Sequence, residues 1–116
     1  MAEYQTLKLN SEFRRAYGRG KQAAGPSLVT YAVRSHKGEI CIGITTSKKI
    51  GNAVERNRCR RIIRAAFRSL KEECSGSWDI VFVARHKTVS LKSTDLEHAM
   101  RKELLALGVI KLSKDK

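Results

Sequence analysis

Residues 47 to 64 read SKKIGNAVERNRCRRIIR, a row of cations broken by apolar residues. Lys48, Lys49, Arg56, Arg58, Arg60, Arg61 and Arg64, with Arg68 just beyond, suit phosphate oxygens. Arginine offers a planar bidentate fork and lysine a compact point charge. The groups that would break a bond do not accompany them. His36, His86 and His98 are isolated, one in a turn-like stretch, one after an apolar run and one on a helical stripe, and each reads as a surface residue. Asp79 and Asp95 read as strand-start and helix-start residues, so no compact carboxylate cluster presents itself for two-metal phosphoryl chemistry. Cys41, Cys59 and Cys74 are odd in number and form no CxxC pair, and they read as reduced thiols. A chain that grips a polyanion without cleaving it is expected, with no catalytic residue of its own.

The cations need an element to align them. A helix is predicted from about Asn52 to Cys74, because Asn52 followed three residues later by Glu55 has the form of a capping box. At about 100° per residue, Cys59, Ile62, Ile63, Ala66, Phe67 and Leu70 share an arc of roughly 140°. Asn57, Arg60, Arg61, Arg64, Arg68 and Lys71 share an adjacent arc of about 100°, which contains no acidic residue. Arg58 lies between the outer edges of the two arcs, and Arg56 sits in the first turn, where its long side chain can snorkel outward. Arg60–Arg64 and Arg64–Arg68 are like-charged i, i+4 pairs, each unfavourable by a few tenths of a kcal/mol unless an anionic partner neutralises them. Ser47, Lys48 and Lys49 precede Gly51-Asn52 at the helix N-terminus, where free N–H groups and the helix dipole favour phosphate. The pattern GxxxxGK[ST] is absent, so this is not a P-loop.

Bulk properties agree. Across 116 residues, 24 Lys and Arg stand against 11 Asp and Glu, a net charge of +13. That much self-repulsion in a compact fold suggests a polyanion, with nucleic acid ahead of a membrane surface. No run approaches the ~18 apolar residues of a membrane span, and MAEYQTLKLN lacks the apolar core of a signal peptide. The expected location is the cytoplasm. One domain over residues 1–110 is expected, followed by a solvated basic tail at 111–116.

Along the chain, Ser11 to Gly18 is predicted as a short helix capped by Asn10 or Ser11, with Phe13 and Tyr17 on one face. Gly18, Gly20, Gly25 and Pro26 suggest a loop. Leu28 to Arg34 and Glu39 to Thr46 alternate as strands and, joined by a short turn, suggest an antiparallel hairpin. Asp79 to Arg85 (DIVFVAR) reads as a central strand. Thr94-Asp95-Leu96-Glu97 suggests a capping box, and Leu96, Met100 and Leu104 form a stripe ending near Gly108. The expected class is α+β, with helices on a small mixed four-stranded sheet in the order α-β-β-β-α-β-α.

SKKIGNAV followed by RNRCRRIIR closely resembles the signature of the bacterial ribonuclease P protein component, a family with an Arg-Asn-Arg motif opening a long basic helix. LKLNSEFRRAYGRG resembles its first helix and following loop, LVTYAV its first strand and DIVFVAR its strand after the basic helix, so the likeness spans most of residues 7–107. Arg60 stands where the family often has Lys, Thr46 where Val is common and Ala65 where an acidic residue is frequent. None of these departures removes a positive charge.

The resemblance implies a ribosomal-protein-S5-domain-2-like fold with a left-handed βαβ crossover, against the general right-handed rule. It implies the protein subunit of a ribonucleoprotein that removes the 5′ leader of precursor tRNA. The RNA subunit performs the hydrolysis with bound Mg²⁺. The implied partners are ribonuclease P RNA and precursor tRNA, with no membrane and no obligate protein partner. Lys48, Lys49, Asn52, Arg56, Asn57, Arg58, Arg60, Arg61, Arg64 and Arg68 would face folded RNA through its phosphates. Phe13, Tyr17 and Tyr31 would stack on leader bases in a cleft beside the first helix and strand, or serve as packing. Composition alone also fits a general ribosome-associated or chaperone-like RNA-binding protein. A DNA-binding reading is weaker, since no short helix and turn precede the basic helix. A membrane-surface reading is weaker still, since the helix's apolar face lacks Trp.

Overall fold

The computed structural model describes residues 4–111, which form five strands and three α-helices. In chain order these are β1 (Tyr4–Thr6), α1 (Asn10–Arg19), β2 (Lys21–Ala24), β3 (Leu28–Arg34), β4 (Ile40–Thr45), α2 (Ala53–Leu70), β5 (Trp78–Ala84) and α3 (Ser93–Leu107). Residues 112–116 of the expected basic tail lie outside the described residues.

The sheet is ordered β1-β4-β5-β3-β2. β5 is central, as its apolar run from Ile80 to Ala84 implies, for a strand buried on both faces needs no polar side. It pairs antiparallel with β3 and parallel with β4. The expected β3–β4 hairpin is therefore absent. The short turn between those strands permits direct pairing, but β5 intervenes, and its register with β3, Leu28↔Ala84 through Arg34↔Trp78, matches all seven residues. The α+β mixed-sheet class holds with five strands in place of four. β1 is an additional edge strand, parallel to β4. The extra short strand falls before β3 and not after β4: β2 occupies the segment expected as a loop, while the stretch after β4 is a 3-10 turn at Lys48–Ile50.

The two faces of the sheet are covered unequally. α2 and α3 pack on one face around Ile63, Phe67, Leu70, Ile80, Phe82, Leu96, Met100 and Leu104, all essentially fully buried. Phe67 stands edge-on to Tyr4, with ring centroids 5.2 Å apart, and 5.7 Å from Phe82. The other face carries only α1, over a smaller cluster of Leu7, Ala16, Cys41 and Val81 flanked by Phe13, Tyr31, Val33 and Val83. The alternation of β3 serves both faces: Leu28 and Ala32 face α2 and α3, whereas Tyr31 and Val33 face α1.

Helix starts differ from expectation at two of three sites. α2 opens as predicted, with Asn52 Oδ1 accepting from Glu55 N at 2.9 Å and Glu55 Oε1 accepting from Asn52 N at 3.1 Å. α1 begins at Asn10, so neither Asn10 nor Ser11 is its cap. Glu12 Oε1 instead accepts from the Lys8 and Leu9 N–H groups, each at 3.0 Å. α3 begins at Ser93, so Thr94 lies inside the helix and Asp95 accepts from the Lys92 N–H at 3.4 Å. α3 ends at Gly108, whose φ of 85° is the left-handed conformation that a glycine adopts without strain.

Candidate RNA interface

α2 presents its two arcs as its periodicity requires. Cys59, Ile62, Ile63, Ala66, Phe67 and Leu70 are buried. Lys48, Lys49, Asn52, Asn57, Arg58, Arg61, Arg64 and Arg68 are exposed, with Arg56 and Arg60 half-buried. Two of these cations are anchored to the backbone. Arg56 donates to the Gly51 carbonyl at 2.7 Å, and Arg58 donates through Nε to the Val89 carbonyl at 2.9 Å. The Arg58 bond ties α2 to the turn at His86–Ser90, which also packs beside the Lys48–Ile50 turn. Exposed Lys87, in that turn, thereby joins the basic surface, an extension that spacing along the sequence did not reveal.

Among the described residues, ion pairs involve only Arg15, Lys37 and Arg101 as cations. Among those residues, none of the cations of α2 or of the turn before it has a carboxylate within 4.0 Å. The stripe therefore stands uncompensated, a surface that an array of phosphates would neutralise. Gly51 shapes the entry to α2: its φ is 148°, and a Cβ there would run into the Glu55 carboxylate that closes the cap.

The aromatic residues are brought together on the other face. Tyr17 and Tyr31 meet edge to face, with centroids 4.9 Å apart. Tyr17, 40 % exposed, shares a 2.8 Å hydrogen bond with the Thr45 hydroxyl, and Tyr31 Oη accepts from Gln22 at 3.3 Å. Phe13 is placed differently, with its ring lying on Gly43. A Cβ added at Gly43 would come within 2.5 Å of Phe13 Cζ. Phe13 thus fills the space that glycine leaves, while the two tyrosines keep edges open to water.

Two buried acids escaped the sequence reading. Asp79 is the second residue of β5, but it is 1 % exposed and charge-compensated. Lys37 Nζ donates to its two oxygens at 3.2 and 3.3 Å, and Arg15 lies 3.6 Å away. Lys37 also donates to Glu12 at 2.6 Å, so one ammonium clasps α1 to β5. Burial opposes the Lys37 charge, yet the hydrogen bonds to Glu12 and Asp79 outweigh it and raise its pKa to about 12. The Lys37 hydrogen bond, with those from the Leu9 and Lys8 N–H groups, lowers Glu12 to about 2. No local signal pairs residues 42 apart.

The second acid, Glu103, is 7 % exposed and accepts from the Thr30 hydroxyl at 2.7 Å. Burial raises its pKa to about 7, against the opposing effects of Thr30 and Arg85. Its position three residues after Met100 on the apolar stripe was the available clue. Burial likewise raises the thiols of Cys41, Cys59 and Cys74, which are all free. Among the described residues no three His, Cys, Asp or Glu side chains converge as metal ligands, and none of the helices is long and apolar enough to cross a membrane.

The family model for ribonuclease P matches residues 1–108. The ribonuclease P protein component of a Thermoanaerobacter species is 38 % identical over 99 residues, covering 85 % of each chain. That of Clostridioides difficile is 36 % identical over 96 residues, covering 82 % of this chain and 84 % of its own. Among solved structures, the Staphylococcus aureus RNase P protein superposes with a TM-score of 0.81 at 28 % identity, covering 94 % of this chain and all of that one. The Thermotoga maritima RNase P protein, at 22 % identity, shares the fold with a TM-score of 0.77 over 93 % of this chain and 99 % of its own.

Proposed function

Because this chain belongs to the ribonuclease P protein family, we propose that it is the RNA-gripping subunit of a cytoplasmic ribonucleoprotein that trims the 5′ leader from precursor tRNA. The observation that carries this reading is the α2 stripe, whose cations have no carboxylate partner within 4.0 Å among the described residues. Arg60, Arg61, Arg64 and Arg68 hold phosphates of the folded catalytic RNA. Lys48, Lys49 and Asn52 do the same at the helix N-terminus, where N–H groups and dipole add to the attraction. Arg56 and Arg58, fixed by their backbone bonds, present their remaining guanidinium donors at little entropic cost.

The tyrosine pair serves the single-stranded leader. An unpaired base offers a face to stack on, whereas folded RNA hides its faces and offers phosphates. The Tyr17–Thr45 bond and the edge-to-face contact hold the rings in place before a base arrives, which lowers the cost of ordering them.

Hydrolysis is assigned to the RNA subunit, where bound Mg²⁺ would supply the metal-assisted chemistry. This chain's acids suit other tasks. Asp79 and Glu12 are neutralised by Lys37, Glu55 closes a cap, and Glu103 stands alone beside Thr30.

Reconstitution with a ribonuclease P RNA at low Mg²⁺ tests the reading. Tyr17→Ala and Tyr31→Ala should weaken binding of leader-bearing precursor tRNA by about 1–3 kcal/mol and spare mature tRNA. Equal losses for both RNAs, or cleavage by the RNA-free protein after removal of contaminating nuclease, would overturn it.

A further inference from the structure

The register of β2 on β3 leaves a notch at one corner of the sheet. β2 starts at Lys21 opposite Ala32, while β3 runs on through Val33 and Arg34. The uncovered end of β3 borders a cavity of about 490 Å³. Arg19 at the end of α1, Lys21 and Arg34 line it, with Trp78 and the last turn of α3 at Leu105–Gly108.

Three elements thus bring three exposed cations to one concavity, and none has a carboxylate within 4.0 Å among the described residues. The Arg34 guanidinium lies 4.8 Å from the centroid of the Trp78 ring, which orients it without consuming its hydrogen-bond donors. The last turn of α3 shares the lining; its Leu104 and Leu105 carbonyls accept backbone N–H bonds from Gly108, Val109 and Ile110, and the negative end of its dipole also favours cations there. Val33, which packs with Tyr31 over the α1 face, also lines the notch. Tyr31 and Arg34 are three residues apart on one strand, about 10 Å, with side chains on opposite faces of the sheet, so a strand passing from the tyrosines to the notch rounds the uncovered end of β3. Tyr17 and Arg19 sit on the same last turn of α1.

We propose that Arg19, Lys21 and Arg34 form a phosphate site for the leader strand, taking the backbone that continues past the base stacked at Tyr17 and Tyr31. This rests on the leader-binding reading above and extends it from bases to a phosphate track, separate from the α2 stripe. Single strands lose about 0.7 in the log–log salt slope per phosphate contact removed.

The test uses the reconstituted holoenzyme, precursor tRNAs with leaders lengthened one nucleotide at a time, and mature tRNA. In the wild type, affinity should climb as the leader reaches the tyrosines and climb again as it reaches the notch. Arg19→Ala with Lys21→Ala should abolish the second rise. The loss should be about three- to tenfold on long leaders, with a salt slope shallower by roughly 1.4. Short leaders and mature tRNA should be unaffected, and Arg19→Lys with Lys21→Arg should restore binding. Tyr17→Ala separates the two readings: if it removes the first rise while the double variant removes nothing, the notch proposal fails alone. Equal loss on mature tRNA would place the notch against folded RNA and overturn the proposal. So would a lowered melting temperature with an unchanged salt slope, which would make the cations structural.

Discussion

Glu103→Gln should make the protein more stable above neutral pH, although it removes a charge from a chain with few acids. The carboxyl group titrates near 7 in the fold, against an ordinary value of 4.5. Between those values the folded chain keeps a proton that the unfolded chain has released. Stability therefore falls as pH rises from 4.5 to about 7, and the cost is complete above that range. At roughly 1.4 kcal/mol per pH unit, the gap sets a ceiling of about 3 kcal/mol. Glutamine resembles the neutral acid and can still accept from the Thr30 hydroxyl, so it avoids the cost at every pH. The assay is thermal melting of both proteins from pH 4.5 to 8.5. Their melting temperatures should coincide at pH 4.5 and separate by up to about 10 °C at pH 8. Taking the difference removes the contribution of every other titrating group. A difference that stays flat with pH, or a variant less stable at pH 8, would show that the Glu103 carboxylate is adequately solvated or paired and would refute the reasoning.

Arg60→Ala with Arg64→Ala should weaken RNA binding and lower the log–log salt slope by somewhat under two, with little change in melting temperature; unfolding with an intact slope would make the stripe structural. Gly43→Ala should cost about 1–3 kcal/mol, because the new methyl group meets the Phe13 ring at 2.5 Å. It should also weaken leader binding by displacing α1, and an unchanged melting curve would show that the ring gives way freely. Lys37→Met should destabilise more than Asp79→Asn in chemical denaturation. The first strands a buried carboxylate with only Arg15 at 3.6 Å, while the second leaves a half-exposed ammonium that water and Glu12 satisfy. The reverse order would refute the clasp.

What could be read from the sequence was what is decided locally. α2 declares its start through Asn52 and Glu55, three residues apart, and its two faces through a 3.6-residue period sustained over its length. Its basic stripe could be placed before any coordinate was known. Strand pairing is decided elsewhere. The turn at residues 35–38 suits a hairpin, but the partner that β3 and β4 share arrives more than thirty residues later, and nothing in the turn announces it. β1 and β2 are short, and β2 adjoins Gly20 and Gly25, so neither carries enough alternation to stand out. The site divides in the same way. Exposed cations are legible because water tolerates them wherever the helix turns them. Buried Asp79 is stable only because Lys37 reaches it from another strand's turn, and the Tyr17–Tyr31 contact exists only once α1 crosses the sheet.

The insertion of β5 between β3 and β4 has a consequence for the order in which the chain can acquire structure. A nascent polypeptide released only as far as Leu70 holds α2 but lacks the strand to which both earlier strands hydrogen-bond. The main-chain groups on the edges that face β5 must remain hydrated, and the apolar side of α2 has no complete sheet to rest on. Until Ala84 has emerged, the most finished part of the molecule is an amphipathic helix whose outer face is an array of arginines. Such a helix can meet polyanions before it has a fold to belong to. Folding of this chain during synthesis should therefore be a late, single event, and early RNA contact competes with it.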